Sequence, residues 1–405
     1  MKKLTILLCT LLLLFTAACQ KQTNDEVDFD TLSNQEILDA AQGTTINFYG
    51  WGGDPNINDW IEYSVAPSLK EKYGLELNYV HMAAPEVIPK LLNEKSANSK
   101  GTVDVVWING ANFKAAMENN LLYGPFVTKV DNFNAFVDQE SAQFDFGFPT
   151  DGYEAPYGKA QLVFIGDTAR HDQFFSNHQE LLTFAKANLG KFAYPEVKDF
   201  TGSAFVRNMI FDIVGTEVFK DLKADKDEVK KVIQPALDYF NELEPYLWNQ
   251  GQTYPADLSQ LDKMFSDGEV DYTFNYTPFH ASVKIEKGEF PETAQTFLLE
   301  NGTIGNIHFL AIPFNAPNKA GAIAFINYIL SPEAQAQKYN KLVWGDLPSI
   351  DYNLLSDDDK KLFDHIDIGK GVLKQEEVLA KRLEEMRADL VPIVEELWRE
   401  EVLEK

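Results

Sequence analysis

Residues 46–82 read "INFYGWGGDPNINDWIEYSVAPSLKEKYGLELNYVHM", and this stretch decides the fold class. An aromatic and β-branched run stops at Trp51-Gly52-Gly53, a helical pattern follows, and a second strand-like run closes the stretch. Strand, glycine-rich turn, helix and strand in this order predict a parallel βαβ unit. Because such sheets place ligands at the carboxyl ends of their strands, Trp51 is the first candidate ligand contact.

The same alternation of strands and helices continues along the chain. "TVDVVWING" is an apolar strand that ends in the polar turn Asn109-Gly110, where a helical pattern begins. Further on, "FAYPEVKDFTGSAF" predicts a strand, a turn and a helix whose start is marked by Thr201-Gly202-Ser203, with a hydroxyl as its N-cap. A third strand ends at Asn275-Tyr276. The pattern is that of an α/β protein.

The first residues predict export. Lys2 and Lys3 precede an apolar run over residues 4–15 and then Thr16-Ala17-Ala18-Cys19, which is typical of a secretory signal peptide over residues 1–18 and too short to span a membrane. The small residues before Cys19 resemble the lipobox of bacterial lipoproteins, although Thr16 stands where leucine is usual. We expect an extracytoplasmic lipoprotein, anchored to the cell membrane through Cys19 with residues 19–41 as a polar tether. A plain secreted protein is the alternative.

Cysteine count and charge exclude several classes of function. The chain has two cysteines, Cys9 in the apolar run and Cys19, so the mature domain has no thiol for a disulfide or a metal site. The formal net charge of −26 disfavours nucleic acid as a partner, since phosphates would be repelled. We expect no nucleic-acid partner, no metal and no cofactor.

Catalytic motifs are missing from the sequence as well. It contains no G-x-S-x-G, S-x-x-K, H-E-x-x-H or P-loop pattern, and its acid-rich stretches do not match an EF-hand loop. The six histidines form no pair at ligand spacing on a convincing helix face. We therefore predict a binding protein and not an enzyme, with an exported hydrolase as the less favoured alternative.

Four stretches carry a resemblance to a known family. "VDVVWINGANFKAAMENNLLYG", "FAYPEVKDFTGSAF", "GTIGNIHFLAIPFNAPNKAGAIAFINYILSPEAQ" and "WGDLPSID" occur in the order found in the substrate-binding components of ABC importers, and the chain is most similar to the YnjB-type branch. The resemblance implies a two-lobed periplasmic-binding-protein-like fold of type II. Each lobe would be a mixed, mostly parallel sheet flanked by helices, and a small ligand would be held between the lobes on closure.

The resemblance also implies a domain plan and partners. We expect lobe 1 over 42–155 and 309–342, lobe 2 over 156–305 and 349–405, and hinge crossovers near 155–161, 303–308 and 342–349. Apolar residues at helical spacing predict one acidic helix over 376–403 that packs on the core. The partners implied are an ABC permease with a separate ATPase, and a monomer is expected.

Strand ends and helix starts supply the candidate site. Aromatic walls with carboxylates nearby, such as Asp346, suit a cation or a flat heteroaromatic ring, and thiamine-like or polyamine-like ligands follow by analogy with the family. A small oxyanion held at Thr201 and Ser203 is the second possibility. Packing of these aromatics in the core, or an ordinary helix cap, are the structural alternatives. The predicted ligand-binding residues are Trp51, Gly52, Asp54, Asn109, Asn112, Gln161, Thr201, Gly202, Ser203, Tyr276, Phe279 and Trp344.

Overall fold

The computed structural model describes residues 31–82 and 84–405. Its strands are β1 (Thr45–Gly50), β2 (Glu76–His81), β3 (Val105–Ile108), β4 (Leu122–Tyr123), β5 (Phe144–Asp145), β6 (Phe148–Pro149), β7 (Glu154–Gln161), β8 (Val163–Asp167), β9 (Tyr272–Asn275), β10 (Ala294–Phe297), β11 (Thr303–Pro313) and β12 (Arg382–Glu384). Its α-helices are α1 (Asn34–Ala41), α2 (Pro55–Asp59), α3 (Ala66–Tyr73), α4 (Ala84–Ser96), α5 (Gly110–Glu118), α6 (Asp131–Phe136), α7 (His178–Ala187), α8 (Phe200–Val214), α9 (Lys226–Leu243), α10 (Leu258–Asp267), α11 (His280–Glu286), α12 (Lys319–Ile329), α13 (Pro332–Tyr339), α14 (Asp357–Asp364), α15 (Gln375–Leu379) and α16 (Val391–Trp398).

The βαβ unit predicted from residues 46–82 is confirmed. β1 and β2 pair in parallel, from Thr45 opposite Glu76 to Gly50 opposite His81. The connection consists of α2 and α3, joined by a π-helical turn over Trp60–Val65. β3 pairs in parallel on the other side of β1, so the carboxyl ends of these strands share one edge. Trp51, the residue after β1, lies at that edge.

A mixed sheet forms the larger of the two principal sheets. Its order is β12-β11-β3-β1-β2, and β4 and β7 also pair with β11. β11 runs antiparallel to β3 and β7 and parallel to β12. Because β11 spans eleven residues, it contacts β3 through its second half and β12 through its first.

The second principal sheet has the order β10-β8-β9, and both of its pairings are antiparallel. We expected mostly parallel strands in each lobe, and this sheet differs. The alternation of helix-like and strand-like segments indicates which residues are extended, but not the direction in which a strand re-enters the sheet. Phe164 and Phe274 of this sheet pack with Phe205 of α8 in an extensive apolar core.

The prediction of one helix over residues 376–403 is wrong. The segment forms α15, then β12, then α16 and a π-helical turn over Arg399–Leu403. Arg382, Leu383 and Glu384 instead pair with Thr303, Ile304 and Gly305, because the free edge of β11 offers backbone groups that a strand can satisfy. Pro392, in the first turn of α16, marks the start of a new helix.

Several predictions lie beyond what can be compared with the structure. The signal peptide, Cys19 and the first part of the tether fall outside the described residues. The lobe boundaries and crossovers stay predictions, although the residues of two predicted crossovers, 155–161 and 303–308, lie within the continuous strands β7 and β11. Within residues 31–82 and 84–405, no helix is long and apolar enough to cross a membrane.

Candidate functional site

Trp51 stands half-exposed at the carboxyl edge of the large sheet. Its side chain is 49% exposed, whereas most aromatic side chains of the described chain are buried. The Tyr79 hydroxyl donates a hydrogen bond of 2.6 Å to the carbonyl of Trp51, which fixes the backbone at the strand end. The indole meets Trp107, at the end of β3, edge to face with 6.4 Å between ring centroids.

Four further aromatic rings continue from Trp51 into the protein. Trp107 contacts Tyr157 at 5.3 Å and His308 at 5.1 Å between centroids. His308 stacks on Trp344 at 5.7 Å with an interplanar angle of 22°. We call Trp51, Trp107, Tyr157, His308 and Trp344 the aromatic cluster. Trp107 and His308 are half-buried and Tyr157 and Trp344 are buried, so the cluster is open on the side of Trp51.

A buried ion pair supports the aromatic cluster from within. The Lys338 ammonium lies 2.6 Å from the Asp346 carboxylate and 5.2 Å from the centroid of Trp344. Asp346 also lies 3.5 Å from Nε2 of His308. Gly158 of β7 is required here, because a Cβ at that position would stand 2.1 Å from Oδ2 of Asp346. The predicted site residue Trp344 is thus held by charge and packing together.

Gly52 and Asp54 shape the turn that presents Trp51. A Cβ on Gly52 would stand 2.3 Å from the His81 ring, so only glycine allows this close approach. Asp54 is the N-cap of α2, and its carboxylate accepts a 2.7 Å hydrogen bond from the amide of Asn56. Both residues therefore have a structural role beside Trp51.

Asn109 and Asn112 lie at the start of α5, at the same sheet edge. Asn109 is the N-cap residue, yet its side chain makes no capping hydrogen bond. Both side chains are half-buried. Asn109 follows β3, two residues after Trp107 of the aromatic cluster. This arrangement leaves its amide available for a ligand.

Gln161 and Phe279 lie in the interior. The Gln161 amide donates to the Thr303 hydroxyl at 3.1 Å and to the Val378 carbonyl at 2.8 Å, and thereby joins β7, β11 and α15. Phe279 is fully buried and packs against Tyr339 at 5.2 Å between centroids. In this structure both side chains stabilise the fold and neither faces solvent.

Asp199, and not a hydroxyl, caps the helix that begins at Phe200. One of its carboxylate oxygens accepts hydrogen bonds of 2.9 Å from the amides of both Thr201 and Gly202. The predicted hydroxyl cap is therefore wrong, because the carboxylate two residues earlier is the better acceptor for these amides. Gly202 is needed for packing, since a Cβ would stand 2.2 Å from the carbonyl oxygen of Pro195.

A buried charged network surrounds Ser203 and Tyr276. Arg207 donates to both oxygens of Glu385, at 2.9 and 3.2 Å, and the Tyr276 hydroxyl donates to the same carboxylate at 2.9 Å. Ser203 donates to Glu395 and accepts from Arg207. Burial lowers the pKa of Arg207, but the attraction of Glu385 and Tyr276 outweighs it, and the pKa is raised overall. Burial also raises the pKa of the Tyr276 phenol.

The sequence analysis missed Trp107, Tyr157, His308 and Glu385. The first three had a signal, because Trp107 lies in a predicted strand two residues before Asn109, and Tyr157 and His308 lie in the predicted crossovers 155–161 and 303–308. Glu385 had none, because its segment was predicted to be helical. Among residues 31–82 and 84–405, no group of three or more histidine, aspartate and glutamate side chains could hold a metal ion.

Comparisons with known proteins agree with this architecture. Residues 65–361 match the model of the bacterial extracellular solute-binding protein family. YnjB of Escherichia coli is 35% identical over 326 residues, which cover 80% of this chain and 84% of that protein. The chain is therefore an extracellular solute-binding protein, which binds a solute outside the cytoplasm rather than catalysing a reaction.

Solved structures share the fold at low sequence identity. The spermidine/putrescine ABC transporter substrate-binding protein PotD of Streptococcus pneumoniae superimposes with a TM-score of 0.61 at 15% identity, covering 88% of this chain and 99% of that one. The apo ferric ion-binding protein A of Pasteurella haemolytica gives 0.60 at 14% identity, with 89% and 98% coverage. The two-lobed fold is thereby confirmed. The matches to the family model and to YnjB show that the chain belongs to the bacterial extracellular solute-binding proteins.

Proposed function

We propose that the protein captures a small organic cation or a flat cationic ring, thiamine-like or polyamine-like, and delivers it to an ABC permease driven by a separate ATPase. The observation that carries the proposal is the aromatic cluster, which lies at the carboxyl ends of β1 and β3 with one indole open to solvent. A cation stacked on such a face is stabilised by about 0.5–2 kcal/mol per ring.

The charges near the candidate site support a cationic ligand. Arg207 is paired with Glu385, Lys338 with Asp346, and Lys114 with Glu118. Burial lowers the pKa of Lys159 to about 8, and the neighbouring Arg382 lowers it too, which weakens a positive charge at that position. The net charge of −26 adds a general attraction for cations.

The alternative ligand, a small oxyanion at the start of α8, has less support. The amides of Thr201 and Gly202 already donate to Asp199, and the Ser203 hydroxyl already donates to Glu395. An anion at this position would have to displace a carboxylate of the protein itself. For that reason we favour the aromatic cluster.

Anchoring and closure complete the proposed mechanism. We infer that Cys19 carries a lipid, that the polar segment after it tethers the binding domain to the membrane, and that the protein acts as a monomer. Ligand binding would bring two lobes together. Lobe 1 would comprise residues 42–155 and 309–342, and lobe 2 would comprise residues 156–305 and 349–405. Trp51, Asn109 and Trp344 are the predicted site residues that we retain as ligand contacts, and Trp107 and His308 join them.

The proposal is tested by identifying the natural ligand. Protein purified without added ligand is denatured and extracted, and the small molecules released are identified by mass spectrometry against a Trp51→Ala preparation treated in parallel. We expect a cationic amine or a cationic heteroaromatic compound that is depleted in the variant. Recovery of an acidic solute in equal amounts from both preparations would refute the proposal.

A further inference from the structure

Two carboxylic acids, Asp145 at the end of β5 and Glu154 at the start of β7, are buried without the hydrogen bonds that such groups need. Asp145 and Glu154 are each 1% exposed. Both oxygens of Glu154 and Oδ1 of Asp145 have no hydrogen-bond partner. The remaining oxygen of Asp145 accepts a hydrogen bond from the amide of Gly110, at the start of α5. Three acceptor atoms are therefore left without donors.

Leaving these acceptors unpaired is costly. An unsatisfied buried polar group costs about 1–3 kcal/mol, and a charged one costs more. Among the described residues, no lysine, arginine or histidine donates a hydrogen bond to these three oxygens. Burial raises the pKa of both carboxyl groups well above the ordinary range, and the charges that face them, of Asp145 on Glu154 and of Glu385 on Asp145, raise it further. The pair thus lacks a cationic donor.

The position of the pair connects it to the aromatic cluster. Glu154 begins β7, and three residues along the same strand Tyr157 contributes its ring to the cluster, with a hydroxyl that also has no partner. Asp145 lies in the β5–β6 hairpin, where the carbonyl of Phe146 accepts a 2.8 Å hydrogen bond from Ala388. The ring of Phe146 lies against Gly110, next to Asn109. The pair and the aromatic cluster therefore share strand β7, and Asp145 contacts the turn that follows β3.

We propose that Asp145 and Glu154 form a subsite for an ammonium or amidinium group that carries N–H donors. The inference rests on the proposed function and narrows its ligand class. Unpaired oxygens require hydrogen-bond donors, which a fully substituted ammonium group does not have. Aromatic stacking alone would accept either type of cation. The subsite would therefore make the protein selective for primary or secondary amines and amidines over quaternary amines.

The test compares two diammonium probes that differ only in their N–H groups. Putrescine and its bis-trimethylammonium analogue are titrated into the purified protein in a calorimeter. We expect putrescine to bind at least tenfold more tightly. Glu154→Gln should lower the affinity for putrescine at least tenfold and leave that for the quaternary analogue nearly unchanged. Glu118→Gln, which removes an exposed carboxylate paired with Lys114, is the matched control and should change neither.

Each alternative outcome has a definite meaning. If both probes bind equally and Glu154→Gln changes neither, the subsite is refuted while the proposed capture of cations stands. If neither probe binds to the wild-type protein, the subsite is refuted, and the proposed capture of cations is decided separately by the identity of the co-purified ligand. Thermal melting checks that the variant is folded. Asp145→Asn is titrated in the same way and should also lower the affinity for putrescine. If one of the two variants fails to fold, the other still tests the subsite.

Discussion

At the scale of single residues, exposure separates the tryptophans into two groups. Trp60 and Trp398 are at most 1% exposed and fill the interior, whereas Trp51 is 49% exposed. Single exposed apolar side chains are common on protein surfaces, but the indole of Trp51 also contacts Trp107 of the aromatic cluster, so its open face is placed to stack on a ligand. This contrast defines a matched pair of substitutions.

Trp51→Ala should weaken binding and leave the fold intact. Loss of a stacked indole is expected to cost about 1–3 kcal/mol of binding free energy, or roughly ten- to a hundredfold in affinity. Trp60→Ala, the buried control, should lower the free energy of unfolding by about 3–5 kcal/mol. Calorimetric titration and thermal melting of both variants measure these effects. If Trp51→Ala melted as early as Trp60→Ala and bound normally, Trp51 would belong to the core.

Glu244 makes stability depend on pH. Its carboxyl group accepts hydrogen bonds from Tyr194 at 2.6 Å and Tyr254 at 2.8 Å, but burial dominates and raises its pKa to about 7. A raised carboxyl pKa means that the folded state binds the proton more tightly than the unfolded state does. The associated stability is present below the unfolded pKa near 4.5 and is lost as the pH rises through about 7.

Glu244→Gln should therefore flatten the pH dependence of unfolding. Between pH 8 and pH 5 the wild-type protein should gain on the order of 3 kcal/mol from this group, and the variant should not. Urea unfolding at three pH values checks the difference. Glu242→Gln, which removes an exposed carboxylate, serves as the control. Parallel pH profiles for wild type and Glu244→Gln would contradict the assignment.

The sequence predicted Trp51, at the solvent-exposed end of the aromatic cluster, and Trp344. It did not predict Trp107, Tyr157 or His308, which complete the cluster. Trp51 and Trp344 were predicted because each stands next to a glycine after a recognisable element. Trp107 and His308 were passed over because the side of the strand on which a residue lies depends on which strands pair. Phe279 was selected for its place at a helix start, and no local pattern indicates that its ring turns into the core.

At the scale of elements, the Lys338–Asp346 pair joins three segments. Gly158 of β7, His308 of β11 and the loop containing Asp346 meet around it. Lys338 donates 2.8 Å to the carbonyl of Leu347, which itself pairs with Lys159 of β7. Burial lowers the pKa of Lys338, and Asp346 opposes that shift. The pair connects the predicted crossovers.

Lys338→Met should destabilise the protein by about 3–5 kcal/mol, because it leaves the Asp346 carboxylate buried without its partner. Lys361→Met, which breaks an exposed pair with Asp358, should cost no more than about 1 kcal/mol. The double variant Lys338→Met with Asp346→Leu should recover much of the loss. Urea unfolding of the four proteins provides the measurement, and equal losses for the two lysine variants would contradict the prediction.

Helices and strands with strong local sequence patterns could be predicted from the sequence. A strand whose formation depends on pairing with a distant strand could not. The βαβ unit of residues 46–82 has clear apolar periodicity and glycine turns, and it was predicted correctly. Residues 382–384 have the spacing of a helix, but the exposed edge of β11 makes them a strand. A tertiary partner therefore overrides a local preference at this position.

At the scale of the whole molecule, attachment to the membrane is predicted to depend on the sulfur atom of Cys19. Cys19→Ala should move the protein from the membrane fraction into the soluble extracytoplasmic fraction, because the thiol that would carry the lipid is lost. Immunoblotting of fractionated cells measures this. Cys9→Ala, which lies within the predicted signal peptide, is the control and should leave the protein in the membrane fraction. Retention of Cys19→Ala in that fraction would refute lipidation at this residue.

Closure of the two lobes is the second prediction at this scale. Small-angle scattering should show a smaller radius of gyration with bound ligand than without it, because the ligand is enclosed between the lobes. Trp51→Ala at the same ligand concentration should remain near the ligand-free value. An unchanged radius at saturating ligand would mean that binding occurs without closure.

The pairing of β11 also determines when the protein can fold. β3 can pair with its antiparallel neighbour only when Phe309, Leu310 and Ala311 of β11 have been synthesised. The pairing of β11 with β12 in turn requires Arg382, Leu383 and Glu384. Contacts so distant along the chain form slowly. A nascent chain therefore cannot complete its large sheet until Glu384 has been synthesised. For a protein that works outside the cytoplasm, this late completion keeps the polypeptide unfolded for longer and so favours its passage across the membrane before folding.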